Sequence, residues 1–178
     1  NFSSGMVKYV GHEIRAVIMN KIEMDVRDTV LLANAESIAV EASMVAYEGV
    51  VIAAERDAGS LRTMEENASK FGTHNIEIIP EITVEALEKL PTPRLAFIVA
   101  QKSTIENDIV TLLKVNPKIK FIIYTLELDI LADIKYLMKK HGVDVTEVMQ
   151  IAVSKVDKNG VFVAQPAPWM ITCEVKEK

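Results

Sequence analysis

Glycine, cysteine and positive charge are all scarce in this chain, and each shortage closes off some chemistry. The seven glycines stand at 5, 11, 49, 59, 72, 142 and 160. None falls where the first or the fourth strand of the pattern described below ends, so a ligand there meets side chains and not freely turning backbone. Cys173 is the only cysteine. That excludes an intrachain disulfide and a thiolate metal cage, and the thiol reads as a small buried apolar group. His12, His74 and His141 lie far apart with no neighbouring ligand pattern, so no metal is expected. Lys and Arg number 20 against 25 Asp and Glu, a formal net charge of -5. Nothing in that balance draws the chain to phosphate backbones or anionic lipid, and neither nucleic acid nor a membrane surface is an expected partner.

Long apolar runs are lacking too. The greasiest region, Ile38–Ala54, is broken by Glu41 and Glu48, well short of the roughly 20 residues that a bilayer span needs. The start carries no basic-then-apolar secretory pattern, which makes the cytoplasm the expected compartment. Residues 1–5, "NFSSG", are expected to be a tag or linker remnant, and 6–178 a single domain.

What the chain does have is an apolar content of 49%, ample for a core of ordinary size, and a regular change of period. Val30–Ala33, Val50–Ala54, Ile76–Ile79, Leu95–Ala100 and Ile119–Tyr124 are continuous apolar runs too short for helices. Between them, apolar residues recur at helical spacing over Glu36–Ala46, from Asp57 to Phe71, over Val84–Leu90 and over Thr104–Val115. A further helix is expected over Leu128–Lys140, and His12–Ile22 carries a helical stripe ahead of the first strand. Asp57 is placed to cap one helix start and Gly72 to close its end. From Val143 to Val153 the period approaches two, Asp157–Gly160 is a turn signal, and the chain from Val161 is extended again. The expected fold is α/β and Rossmann-like: a mostly parallel seven-stranded sheet with a C-terminal antiparallel hairpin.

In such sheets a ligand sits beyond the carboxyl ends of the strands, beside the first one. The segment "TVLLANAESIAVEASMVA" there places Asn34, Ala35, Glu36 and Ser37 at the junction. Glu55 lies 21 positions beyond Asn34, matching the roughly 20 expected of an acid that accepts hydrogen bonds from ribose hydroxyls. The helix that follows the junction offers free N–H groups, but Glu36 already sets a carboxylate at the positive end of its dipole.

"HEIRAVIMNKI", the unit ending in "VAYEGVVIAAERD", and "TVEALEKLPTPRLAFIV" together resemble the cobalt-precorrin methyltransferases (decarboxylating) of the CbiT type, in the class I S-adenosylmethionine-dependent methyltransferase fold. The likeness runs from about Met6 to Cys173 and takes in "NPKIKFII" and "VFVAQPAPWMITC". It implies that a glycine-rich loop of the form "DIGAGTG" follows the first strand; this chain has "LLANAES", with Leu32 at the acidic position and Asn34, Ala35 and Glu36 in place of glycines. A "GGSGG"-like loop is implied after the fourth strand, where Gln101, Lys102 and Ser103 stand instead. The implied adenine contact after the third strand falls at Glu81-Ile82-Thr83. Glu55 and Arg56 carry over from the "ERD" element, as do Glu13 and Arg15 from "EVRA" and Glu41 from "VEA".

The resemblance therefore implies S-adenosylmethionine at Asn34, Ala35, Glu36, Ser37, Glu55, Arg56 and Ile82, and a precorrin-like substrate against Gln101, Lys102, Ser103 and Tyr124. Three functions stay open on this evidence: a pseudo-enzyme, scaffold or regulator in corrin assembly; an active decarboxylating methyltransferase; or a module binding another small molecule in the same crevice. No catalytic residue can be named. Apolar strips on the first helix and the final hairpin, Trp169 and Met170 among them, suggest a homo-oligomer. The resemblance implies a tetramer and a fused or neighbouring methylase domain.

Overall fold

The computed structural model describes residues 11–177, so the expected remnant at 1–5 lies outside the described residues. α1 (His12–Ile22) leads into β1 (Thr29–Ala33), α2 (Glu36–Val45), β2 (Val50–Ala54), α3 (Ala58–Phe71), β3 (Ile76–Ile79), α4 (Val84–Leu87) and β4 (Leu95–Val99). α5 (Ile105–Val115), β5 (Lys120–Thr125), α6 (Leu128–Lys140) and β6 (Val143–Gln150) follow, then β7 (Ser154–Val156), β8 (Phe162–Ala164) and β9 (Trp169–Val175). One seven-stranded sheet has the order β3-β2-β1-β4-β5-β9-β6, and β7 and β8 form a separate two-stranded ribbon. β1 to β5 pair in parallel, while β9 runs antiparallel to both β5 and β6.

Alternation along the strands sorts apolar side chains onto two faces. Leu31, Ile52, Ile98 and Phe121 pack with Leu87, Ile109, Leu112 and Ile134 of α4, α5 and α6. Val30, Leu32, Val51, Phe97 and Tyr124 pack on the other side with Ile14, Ile18, Ile38 and Met64 of α1, α2 and α3. Both faces of the inner strands are thus covered, which is why they read as unbroken apolar runs. Asp57 caps α3 by accepting from the Ser60 N–H at 2.7 Å, and Gly72 ends that helix in the left-handed region.

Three expectations shift. α4 closes at Leu87 and not Leu90, because Pro91 pushes the residue before it out of helical geometry. The turn at 157–160 joins β7 to β8, outside the main sheet. Pro166 and Pro168 cannot donate to a ladder, so β8 stops at Ala164 and β9 starts at Trp169 before entering the sheet between β5 and β6. Nor are the strips on α1 and β9 left bare: Ile14, Ile18, Ile22 and Met170 are buried within their own subunit and Trp169 is half-buried. The exposed apolar side chains lie instead on the ribbon, at Val156, Val161, Phe162 and Val163. No helix among the described residues is long and apolar enough to cross a membrane.

Candidate functional site

Successive crossovers run one way from β1 to β2 and β3, and the chain then returns to set β4 on the other side of β1. The crevice of such a sheet opens at that seam, beyond the carboxyl ends of β1 and β4. Here the seam is fastened at both ends. Below, Arg94 donates from Nη2 to Asp28 Oδ2 at 2.6 Å and to the Ile22 carbonyl at 3.1 Å. Above, Asn34 donates its backbone N–H to the Ala54 carbonyl at 2.9 Å and its side-chain amide to the Val99 carbonyl at 3.2 Å.

Asn34 does this with φ of 57°. Asparagine is one of the few non-glycine residues that occupy the left-handed region readily. The tight turn therefore survives without glycine, and what has changed is the space around it. Asn34, Ala35 and Glu36 are all buried, and Ser37 is half-buried. Glu36 opens α2 with 7% of its surface exposed, and its Oε2 has no hydrogen-bond partner.

Glu55 ends β2, 5% exposed, and its Oε1 accepts the Asp57 N–H at 3.0 Å. Burial lifts its carboxyl above the ordinary range; the Asp57 N–H opposes the rise and the nearby Glu36 carboxylate adds to it. Beside Glu55 lies a cavity of about 510 Å³, walled by Arg56, Leu61, Pro80, Glu81 and Thr83. Arg56 reaches from this wall to α5, where its Nη2 is 3.5 Å from Asp108 Oδ1. Asp108 is 1% exposed, its Oδ2 has no partner, and burial raises its carboxyl against the pull of Arg56.

Ile82 is fully buried in the core with Ile79 and Ala54, so it shapes the cavity floor from behind. Gln101 is half-buried and Ser103 exposed. Lys102 turns toward α6 and pairs with Asp129 at 3.3 Å, at the mouth of a second cavity of about 400 Å³ between α5 and α6. Tyr124 is a core residue, 2% exposed, with its ring centroid 6.1 Å from that of Phe97; it contributes packing and no exposed wall. Burial pushes the Cys173 thiol up to about 12, as suits an apolar core group.

The structure thus gathers Asn34, Glu36, Glu55 and Arg56 at one end of the sheet and leaves Lys102 and Tyr124 apart from them. Asp108 escaped the sequence reading. Its signal was there: it falls between Ile105, Ile109 and Leu112 on the buried face of α5, where a charge is out of place.

A family model described as a precorrin methyltransferase domain matches residues 8–175. No curated protein matches the chain. Among solved structures, a precorrin-6Y C5,15-methyltransferase from Geobacter metallireducens superposes with a TM-score of 0.82 at 23% identity, over 97% of this chain and 93% of that one. A precorrin-8W decarboxylase from Methanobacterium thermoautotrophicum does so with 0.77 at 19%, over 93% and 91%. The Streptococcus pneumoniae protein Sp1610, in complex with S-adenosyl-L-methionine, gives 0.65 at 13%, over 93% and 73%.

Proposed function

We propose that this chain, which belongs to the precorrin methyltransferase family of cobalamin biosynthesis, serves corrin assembly as a scaffold or regulator and transfers no methyl group of its own. The observation that carries the reading is the filled junction between β1 and α2. S-Adenosylmethionine sets a carboxylate-bearing arm against that junction and its ribose against the acid ending β2. The ribose end fits, since Glu55 is in place beside a cavity of suitable size. The amino-acid end does not: the Asn34 amide is spent on Val99, and the buried Glu36 carboxylate repels another carboxylate at the start of α2. No transfer step follows from such a pose.

Calorimetric titration tests this directly. With S-adenosylmethionine or S-adenosylhomocysteine the expected result is no heat at millimolar ligand, and no methylated product from a precorrin-type tetrapyrrole. Micromolar binding together with turnover overturns the proposal. One observation favours the alternative of an active methyltransferase, namely the cavity beside Glu55. It requires the Asn34 amide to leave Val99 when the cofactor arrives.

The partners that fit a scaffold are a fused or neighbouring methylase domain, a precorrin-like small molecule passed between them, and further copies of this chain. The exposed apolar ribbon of β7 and β8 supports the last.

A further inference from the structure

The polar groups around the cavity beside Glu55 are strongly biased in sign. Glu36 comes from α2, Glu55 from the end of β2, Glu81 from the segment after β3 and Asp108 from α5. Arg56 is the one cation among the described walls, and it is turned toward Asp108. Two of these carboxylates are more than nine-tenths buried and hold an oxygen without a partner, Glu36 Oε2 and Asp108 Oδ2. A buried acceptor with no donor is costly, so a donor or a positive charge brought from outside is stabilised there, while an added carboxylate is not. Glu36 also lies close enough to Glu55 to disturb its ionisation, so whatever rests on Glu55 presents its neighbouring substituent to Glu36.

We propose that this cavity takes a nucleoside with an uncharged or cationic 5′ substituent, its ribose on Glu55, and that Glu36 is the residue that refuses nucleosides carrying an amino-acid carboxylate. The inference builds on the reading that the sulfonium cofactor is not held in its ordinary pose, but it asks more: that the nucleoside half of the crevice still works. Leu61 and Pro80 supply apolar walls for a base. Glu36 then acts as a specificity residue and not merely as a helix opener.

The experiment titrates the unmodified chain with 5′-methylthioadenosine, 5′-amino-5′-deoxyadenosine and S-adenosylhomocysteine, and repeats the series with Glu36→Gln and Glu55→Ala. The first two ligands are expected to bind, the amine at least as tightly as the thioether, with S-adenosylhomocysteine about tenfold weaker or worse, since like charges meet in a desolvated site. Glu36→Gln should close most of that gap and cancel any advantage of the amine, leaving the thioether within about threefold, because only a charge has been removed. Glu55→Ala should abolish all binding. If no nucleoside binds the folded, unmodified chain, this inference fails while the scaffold reading stands. If S-adenosylhomocysteine binds as tightly as the thioether, both are in trouble. A gap that Glu36→Gln leaves untouched removes Glu36 from the role. The ligand series on the unmodified chain decides the main point even if a variant does not fold.

Discussion

Asn34 and Glu36 stand where a glycine-bearing loop is implied, yet they depart from it in different ways. Asn34 keeps the left-handed turn and adds a strap to Val99, so Asn34→Gly should preserve the backbone path and lose only the amide bond. Urea denaturation is expected to show a loss of about 1 kcal/mol, the usual net value of one such bond. Asn34→Val, which combines the same loss with a β-branched residue in the left-handed region, should cost clearly more. Glu55 supplies the pH-dependent case. Its carboxyl is raised above 4.5 by burial, so the stability contributed by its protonated form is complete below 4.5 and is lost as pH rises through the raised value. Glu55→Gln should therefore melt higher than the parent at pH 8 by about 1 kcal/mol, roughly 2–4 °C for a chain of this size, and the two curves should converge at pH 4. At this scale the sequence was legible only in part. It identified the residues of the junction, but whether a side chain fills a crevice or straps it shut depends on a torsion and on a carbonyl from β4, 65 positions away.

Helices and inner strands were read almost to the residue, because their signals are local. Ile76–Ile79 and Leu128–Lys140 begin and end where the apolar runs and stripes do. Asp57 and Gly72 work as the caps that their chemistry suggests. The last third was harder, since the alternation in Val143–Gln150 says that a strand exists and nothing about its neighbour. Two glycines separate kinds of constraint that composition alone cannot. At Gly49 an added Cβ would lie 2.0 Å from the Asp28 carbonyl oxygen and 2.8 Å from the Arg27 carbonyl carbon, both backbone atoms. At Gly72 the space is open and only φ of 67° objects. Gly49→Ala is expected to cost on the order of 3 kcal/mol or to prevent folding, as overpacking against rigid backbone does. Gly72→Ala should lose about 1 kcal/mol. Thermal melts of the two variants side by side check the contrast.

For the molecule as a whole, the family frame persists while the crevice at its switch point is closed by its own side chains, and this division is what a scaffold requires. Its outward feature is the ribbon of β7 and β8, tied to α1 through the ion pair of Lys155 with Glu13 and carrying Phe162 with 76% of its surface exposed. If copies assemble through that ribbon, Phe162→Asp should shift the mass in light scattering toward the monomer and leave the melting of the domain within about 0.5 kcal/mol, as for other exposed positions. An unchanged mass would move the contact elsewhere. A different consequence follows from the way the sheet is completed. β6 has β9 as its one neighbour, and β9 is separated from it by the whole ribbon. Until the later strand has threaded into the gap beside β5, the earlier one has no place to dock, because closing that long connection must come first. A protease that meets the half-assembled chain will therefore find its cleavage sites between residues 143 and 168.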